Sequence, residues 1–261
     1  MLDLFSLEGR VALVTGGSRG IGRMIAAGFV AAGARVYISS RKAEACEQAA
    51  AELGPACIPL PHDLSTMQGV QSLAREVAAR EVGLDILVNN AGAAWVAPFD
   101  DFPESGWDKV MTLNLKSPFF LTQALHGTLK AAAREDRPAK VINIASVDGM
   151  TLNPLGSYSY QASKSALIYL TRRLAAELVK DRIHVTAIAP GPFASEVNRA
   201  ARDHAEAIAA HVPAGRIGRD EDMAAAAVYL ASRAGDYIVG ATLPVDGGVA
   251  LANLPDGAIA G

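Results

Sequence analysis

Val11-Ala12-Leu13-Val14-Thr15-Gly16-Gly17-Ser18-Arg19-Gly20-Ile21-Gly22 is the stretch that decides the fold. Its first five residues are a short apolar run ending in glycines, which reads as a buried strand. An Ala-rich segment follows to about Ala32 and reads as a helix. Strand, glycine turn and helix N-terminus together form an anion site, because backbone N–H groups and the positive helix end converge where glycines let a phosphate approach. The spacing is Gly-x-x-x-Gly-x-Gly, not the commoner Gly-x-Gly-x-x-Gly dinucleotide fingerprint. A plain glycine turn has the same composition; the flanking strand and helix weigh against that reading.

Arg35 to Ser39 reads as the second strand. A fold that binds NAD places a carboxylate near its end, about twenty residues past the first glycines, to hold the ribose 2′-hydroxyl. Here the residues are Ser39-Ser40-Arg41-Lys42, with Arg19 a further cation in the glycine loop. Guanidinium groups match phosphate geometry and stay charged, so the pattern points to a 2′-phosphate and hence to NADP(H). The plainer reading is that Arg41 and Lys42 open a solvated helix.

The rest of the chain alternates strand and helix, which gives a doubly wound parallel sheet. A helix over about 43–53 precedes a strand near Cys57 to Leu60, then Pro61-His62-Asp63-Leu64. Asp63 either bonds an adenine amine or caps the helix starting near Thr66. Leu84 to Val88 is the fourth strand, and Asn89-Asn90-Ala91-Gly92 at its end suits a floor under a flat ligand, since open parallel sheets bind ligands at that edge. Trp95, Val96, Phe99 and Phe102 line an entrance or pack the surface. One long helix is expected from about Glu104 to Ala133. It contains Asn114, a polar group that needs a partner if buried, whether a water or, as the simpler reading, nearby backbone.

Val141 to Ala145 is the fifth strand, with Ser146 just past it. Then comes Tyr160-Gln161-Ala162-Ser163-Lys164, on a helix running to about Lys180. Residues four apart share a helix face. A free phenol has a pKa of about 10, and a neighbouring cation favours its ionised form. Lys164 is therefore expected to lower the Tyr160 pKa and make it an acid–base group, with partial burial and cofactor charge helping. Tyr158 is a rival, but the residue four beyond it is Ala162. Ser146 donates to a carbonyl oxygen or is an ordinary turn serine. Arg182 to Ile188 is the sixth strand, followed by Ala189-Pro190-Gly191-Pro192. Residues 195–211 read as a helical lid or a connecting helix, 220–232 as a helix and 242–245 as the last strand.

The chain has 261 residues, 51% hydrophobic and 20% charged, with a formal net charge of −3. That fits a single α/β domain and gives no support for nucleic-acid or anionic-membrane partners. Cys46 and Cys57 have neither metal-ligand nor disulfide spacing, so a reduced, cytoplasmic compartment fits and no metal site is expected. No signal peptide and no membrane span are read.

With these motifs in this order, from Val11 to Gly248, the chain resembles the short-chain dehydrogenase/reductase family. Within it the resemblance is to the branch of NADPH-dependent 3-oxoacyl-(acyl carrier protein) reductases, its rhamnolipid-associated members in particular. The resemblance implies a Rossmann-type, three-layer α/β/α domain with seven strands in the order 3-2-1-4-5-6-7, usually a homotetramer or dimer built on the two long helices. It implies a cofactor part over about 1–150, a substrate and lid part over about 150–248, and an Ala/Gly-rich tail, 249–261, ordered by another subunit. It assigns catalysis to Asn114, Ser146, Tyr160 and Lys164. Asn114 would anchor a water linking Lys164 to solvent, and Lys164 would also bind the nicotinamide ribose. Cofactor contacts fall on Gly16, Ser18, Arg19, Gly20, Ile21, Gly22, Ser40, Arg41, Lys42, Asp63, Leu64, Asn90, Ala91, Gly92, Tyr160 and Lys164. Pro190, Gly191 and Phe193 complete them beside the nicotinamide, with Ser195 where the family carries a carboxamide-binding threonine. The implied reaction is hydride transfer between NADP(H) and a ketone or secondary alcohol, such as a 3-oxoacyl thioester on acyl carrier protein or coenzyme A. Trp95, Leu152, Tyr158, Phe193 and Val197 are the candidate substrate-lining groups, and Arg199 and Arg202 either meet an acidic carrier or are solvated. The alternatives are a sugar or polyol dehydrogenase and a catalytically silent NADP(H)-binding sensor or scaffold.

Overall fold

β1 (Val11–Thr15) is buried along its whole length, as a strand covered on both faces of a parallel sheet must be. The computed structural model describes residues 2–195 and 199–252. The strands that join β1 are β2 (Arg35–Ser39), β3 (Cys57–Pro59), β4 (Ile86–Asn89), β5 (Ala139–Ile144), β6 (Ile183–Pro190) and β7 (Thr242–Val245). They form one sheet in the order β3-β2-β1-β4-β5-β6-β7, every pair parallel. This is the order the resemblance implies.

The helices are α1 (Gly20–Ala31), α2 (Ala43–Leu53), α3 (Met67–Arg80), α4 (Glu104–Met111), α5 (Ser117–Ala124), α6 (His126–Ala132), α7 (Tyr158–Leu178), α8 (Arg199–Asp203), α9 (Ala205–Ala209) and α10 (Asp220–Ala231). Strand alternation divides the core in two. Ala12, Val14, Val36 and Ile38 pack with α1, α2 and α10 through Ile25, Phe29, Cys46 and Met223. Leu13, Leu87, Val141 and Val185 face the other way, onto α3, α5 and α7, with Leu73, Leu121 and Ala175. The result is a three-layer α/β/α domain.

A buried polar ladder sets the position of α7. Asn89 Nδ2 donates to Asn143 Oδ1 (2.9 Å) and Thr122 Oγ1 (3.1 Å), and Asn143 Nδ2 donates to Thr171 Oγ1 (2.9 Å). Apolar packing alone tolerates sliding; these directional bonds fix β4, β5, α5 and α7 against one another.

Three expectations need correction. The single helix over 104–133 is broken: a π-turn covers Thr112–Lys116, and Leu125, with ψ near 0°, separates α5 from α6. α3 is capped by Thr66, whose hydroxyl accepts from Gly69 N–H (3.0 Å), while Asp63 Oδ1 accepts from the N–H and hydroxyl of Ser65. The 195–211 stretch holds two short helices, α8 and α9, with 196–198 outside the described residues, as is the tail beyond 252. Cys46 and Cys57 are buried free thiols. Among the described residues no helix is long and apolar enough to cross a membrane.

At the edge of the sheet opposite the glycine loop, Asp85 is buried between Arg10 (3.6 Å) and Arg137 (3.0 Å) and also accepts the Val11 N–H (2.9 Å). Asp85→Asn keeps the shape and removes the charge that compensates two guanidinium groups. The expected cost is about 3 kcal/mol, read as a lower urea midpoint. An unchanged midpoint would contradict this account of the edge.

Candidate active site

The glycine loop is stitched to the end of β4. Thr15 Oγ1 donates to the Val88 carbonyl (3.2 Å) and accepts from the N–H groups of Asn90 (2.9 Å) and Ala91 (3.0 Å). Asn90 Nδ2 donates to the carbonyls of Thr15 (2.8 Å) and Gly16 (3.3 Å). A Cβ on Gly22 would lie 2.3 Å from the Gly16 carbonyl oxygen, so the first turn of α1 sits directly on the loop. Gly16 and Gly20 adopt φ of 65° and 52°, conformations that side chains disfavour. A Cβ on Gly20 would lie 3.1 Å from Ser195 Cβ, which places Ser195 against the loop.

Arg19, the N-cap residue of α1, provides no side-chain acceptor for the first turn, so these N–H groups are available to an anion. Arg19, Arg41 and Lys42 are exposed, and none of them is ion-paired among the described residues. Ser40 Oγ donates to the Lys42 carbonyl (3.2 Å). Burial raises the Asp63 carboxyl pKa, but the Ser65 hydrogen bonds and the nearby Arg41 outweigh it and leave a net decrease. Ser18 and Ile21 are half-buried, Leu64 is buried, and Ala91 and Gly92 lie at the open end of β4. Pro190 ends β6, and Gly191 passes so close to Asp246 that a Cβ would lie 2.7 Å from its Cα. Free N–H groups, a cradle that a Cβ would fill and unpaired cations together fit a dinucleotide with an extra phosphate.

β5 ends at Ile144, and its carbonyl receives Lys164 Nζ at 2.6 Å. Lys164 Nζ lies 5.6 Å from the centre of the Tyr160 ring, and the Ser146 hydroxyl acts on the phenol so as to favour its ionised form. The Asp148 backbone N–H donates to Ser146 Oγ (3.1 Å), which leaves the serine proton to point at an acceptor. The three groups expected together are therefore together, at the C-terminal edge of the sheet.

The electrostatics reverse one expectation. Burial pushes the Tyr160 phenol up to about 12, more than the Ser146 hydrogen bond pulls it down, and Asp148 pushes it further up. Burial also brings Lys164 down to about 8, with Asp148 opposing that fall. Loss of water disfavours the charged form of both groups, so burial acts against the acidic phenol expected from the sequence. The ammonium meanwhile points at the Ile144 carbonyl.

Asn114 sits in the π-turn. Oδ1 accepts from Ala93 N–H (2.8 Å), and Nδ2 donates to the Ala93 carbonyl (2.9 Å) and Ser163 Oγ (3.0 Å). The amide thus ties the loop after β4 to α7. Tyr158 is an exposed wall residue, edge-on to Phe99 (5.7 Å) and Phe102 (5.5 Å). Trp95 packs under Gly106, with Lys109 Nζ 5.5 Å from its ring centre. Leu152 is 96% exposed. Phe193 is buried, with its ring against Gly218, and borders the cavity next to Pro192 and Asp246. Val197 and the Arg199 side chain lie outside the described residues, and Arg202 is engaged by Asp203 (2.7 Å).

The sequence pattern marks neither Ser163 nor Asp148 as a site group; the one signal is position, beside Lys164 and two residues past Ser146.

The chain matches the family model described as enoyl-(acyl carrier protein) reductase over residues 16–250. It is 48% identical over 253 residues to the rhamnolipids biosynthesis 3-oxoacyl-(acyl-carrier-protein) reductase of Pseudomonas aeruginosa, covering 95% of this chain and 99% of that one. It is 37% identical over 252 residues to the 2-dehydro-3-deoxy-D-gluconate 5-dehydrogenase of Dickeya dadantii, covering 95% and 98%. The solved Pseudomonas aeruginosa RhlG/NADP active-site complex superimposes with a TM-score of 0.92 at 48% identity, over 96% of this chain and 100% of that one. By sequence, fold and strand order, the chain belongs to the short-chain dehydrogenase/reductase family of NAD(P)-dependent oxidoreductases.

Proposed function

We propose that this protein reduces the ketone of a 3-oxoacyl thioester, carried on coenzyme A or acyl carrier protein, using NADPH. The observation that carries the reading is the meeting of Tyr160, Ser146 and Lys164 at the sheet edge, beside a glycine cradle flanked by unpaired cations. The loop over 16–22 and the α1 N-terminus hold the pyrophosphate. Arg19, Ser40, Arg41 and Lys42 hold the 2′-phosphate, Asp63 and Leu64 border the adenine, and Asn90 to Gly92 support the adenosine. Pro190, Gly191 and Ser195 border the nicotinamide, which supplies the hydride when bound. A catalytically silent sensor would have no use for an oriented serine beside a phenol and an ammonium.

Ser146 donates to the carbonyl oxygen and stabilises the charge that develops there. Tyr160 gives its proton to the same oxygen. Lys164 supplies the nearby positive charge and a donor for the ribose. A phenol held near 12 is protonated throughout the neutral range, which suits an acid in ketone reduction better than a base in alcohol oxidation.

The relative from Dickeya dadantii is a sugar-acid dehydrogenase by name, so a polyol is the second reading. The rim supports the acyl chain instead. Val96, Phe99, Met150, Leu152 and Leu155 are exposed around it, while the polar Asn153 and Gln161 are engaged with each other and with Asp148. A half-exposed apolar groove of Leu115, Phe119, Phe120, Ala166, Tyr169 and Leu170, edged by Lys116 and Arg173, supports assembly of copies through α5 and α7, as dimer or tetramer. The buried free thiols suit the cytoplasm.

Following NADPH absorbance with a 3-oxoacyl thioester, a small ketoester and a keto-sugar acid separates the readings; turnover confined to the sugar acid would overturn the acyl assignment. Tyr160→Phe is expected to lower kcat about 10³-fold with NADPH affinity nearly unchanged, and retained turnover would remove the proton donor. Arg41→Ala should raise KM for NADPH roughly tenfold and leave that for NADH unchanged; equal effects would contradict the 2′-phosphate site. Alcohol oxidation should gain about tenfold per pH unit between pH 7 and 10 as phenolate accumulates, whereas a flat profile would contradict the raised phenol.

A further inference from the structure

Asp148 is a charged group that the reaction as described does not use. It stands in the single turn Val147–Gly149, just after the catalytic serine. That turn is pressed onto α7 at the lysine: a Cβ on Gly149 would lie 2.7 Å from the Lys164 carbonyl carbon, and Ser165 Oγ donates to the Gly149 carbonyl (3.0 Å). The Asp148 backbone N–H donates to Ser146 Oγ. Its side chain faces the other way along the site, and both carboxylate oxygens accept from Asn153 Nδ2 at 3.2 Å.

Asn153 belongs to the rim. Its N–H donates to Gln161 Oε1 (3.3 Å), its carbonyl accepts from Gln161 Nε2 (3.2 Å), and its Oδ1 accepts from Leu155 N–H (2.9 Å). Gln161 Nε2 also reaches the Leu155 carbonyl and Ser157 Oγ. The loop that exposes Met150, Leu152 and Leu155 is therefore held at two points, α7 through Gln161 and the serine turn through Asp148. Among the described groups, those acting on the Asp148 carboxylate are the Lys164 ammonium from α7 and the Asn153 amide from the loop. Its charge also acts on the Tyr160 phenol, which it pushes toward the protonated form.

We propose that Asp148 is a positioning residue: its carboxylate, anchored by Asn153 under the substrate rim on a turn packed against α7 at Lys164, sets the pH range of the reaction and couples the rim to the catalytic groups. A fixed negative charge there disfavours phenolate and favours ammonium. It keeps the acid protonated and the lysine charged to higher pH, which widens the alkaline reach of ketone reduction. Burial pushes its own carboxyl upward while Asn153 and Lys164 hold it down, so the charge depends on both partners. This inference rests on the reductase reading for its direction, but the electrostatic coupling does not depend on which ketone is reduced.

The test uses the full chain with Asp148→Asn, Asp148→Ala and Asp148→Glu. Asp148→Asn removes the charge and keeps the backbone donor to Ser146. It should move the alkaline limb of reductive kcat/KM, and the rise of alcohol oxidation, to lower pH by about half a unit or more. Asp148→Glu should return both toward wild type, a rescue that a purely structural role does not predict. Asp148→Ala should add a several-fold rise in KM for the ketone, through loss of the Asn153 anchor, with a smaller change in kcat. A substrate-independent readout is the ultraviolet titration of Asp148→Asn against Asp148→Asn/Tyr160→Phe, in which the Tyr160 phenolate should appear at lower pH than in the parent pair. Unshifted profiles together with an unshifted titration overturn the proposal. Absence of turnover on every ketone alongside a shifted titration overturns the reductase reading and leaves the coupling standing.

Discussion

A half-buried phenol and a buried ammonium are brought together at the end of one strand, and the rest of the molecule is arranged to hold them there. The ammonium has the Ile144 carbonyl as its partner, and the phenol has Ser146 acting in favour of its ionised form. Neither partner repays the loss of hydration, so each group is pushed toward its neutral form. Such a site persists only if the surrounding structure is rigid. The ladder Asn89–Asn143–Thr171 supplies that rigidity beneath α7, and Asn114 supplies it from the side by clamping Ala93 and Ser163.

The same constraint links fold to reaction. The apolar layers place the C-terminal ends of β1, β4 and β5 side by side, where a parallel sheet presents its ligand edge. At β1 and β4 the edge is built from backbone and small residues, which serve a flat ligand with phosphates. At β5 it is built from ionisable groups, which in the proposed reaction would serve proton transfer. A tyrosine poised as an acid and an apolar rim belong to one reading, reduction of a ketone on an acyl chain.

The fold was legible because it is written in short-range patterns. Val11 to Gly22 announces strand, turn and helix within twelve residues, and the other strands are apolar runs bounded by turn residues. The site was legible where spacing carries meaning, as in Tyr160 and Lys164 one helical turn apart. Tertiary facts were not. Nothing local in Thr112 to Lys116 marks a π-turn, because it arises from Asn114 being drawn onto Ala93 and Ser163. Phe193 reads as a lining aromatic in sequence, and it is buried because Gly218 leaves room for its ring. The direction of the Tyr160 shift was misread for a related reason. The sequence displays the nearby lysine but not the loss of solvent around the phenol, nor the charge of Asp148 acting on it.

The central claim is that the chain's own groups hold the Tyr160 phenol well above its ordinary value. Ultraviolet difference titration of the protein without cofactor, taken against its Tyr160→Phe variant, measures this directly. A phenol near 12 predicts that the difference stays flat through pH 10. A phenolate signal from Tyr160 appearing between pH 7 and 8 would contradict the account.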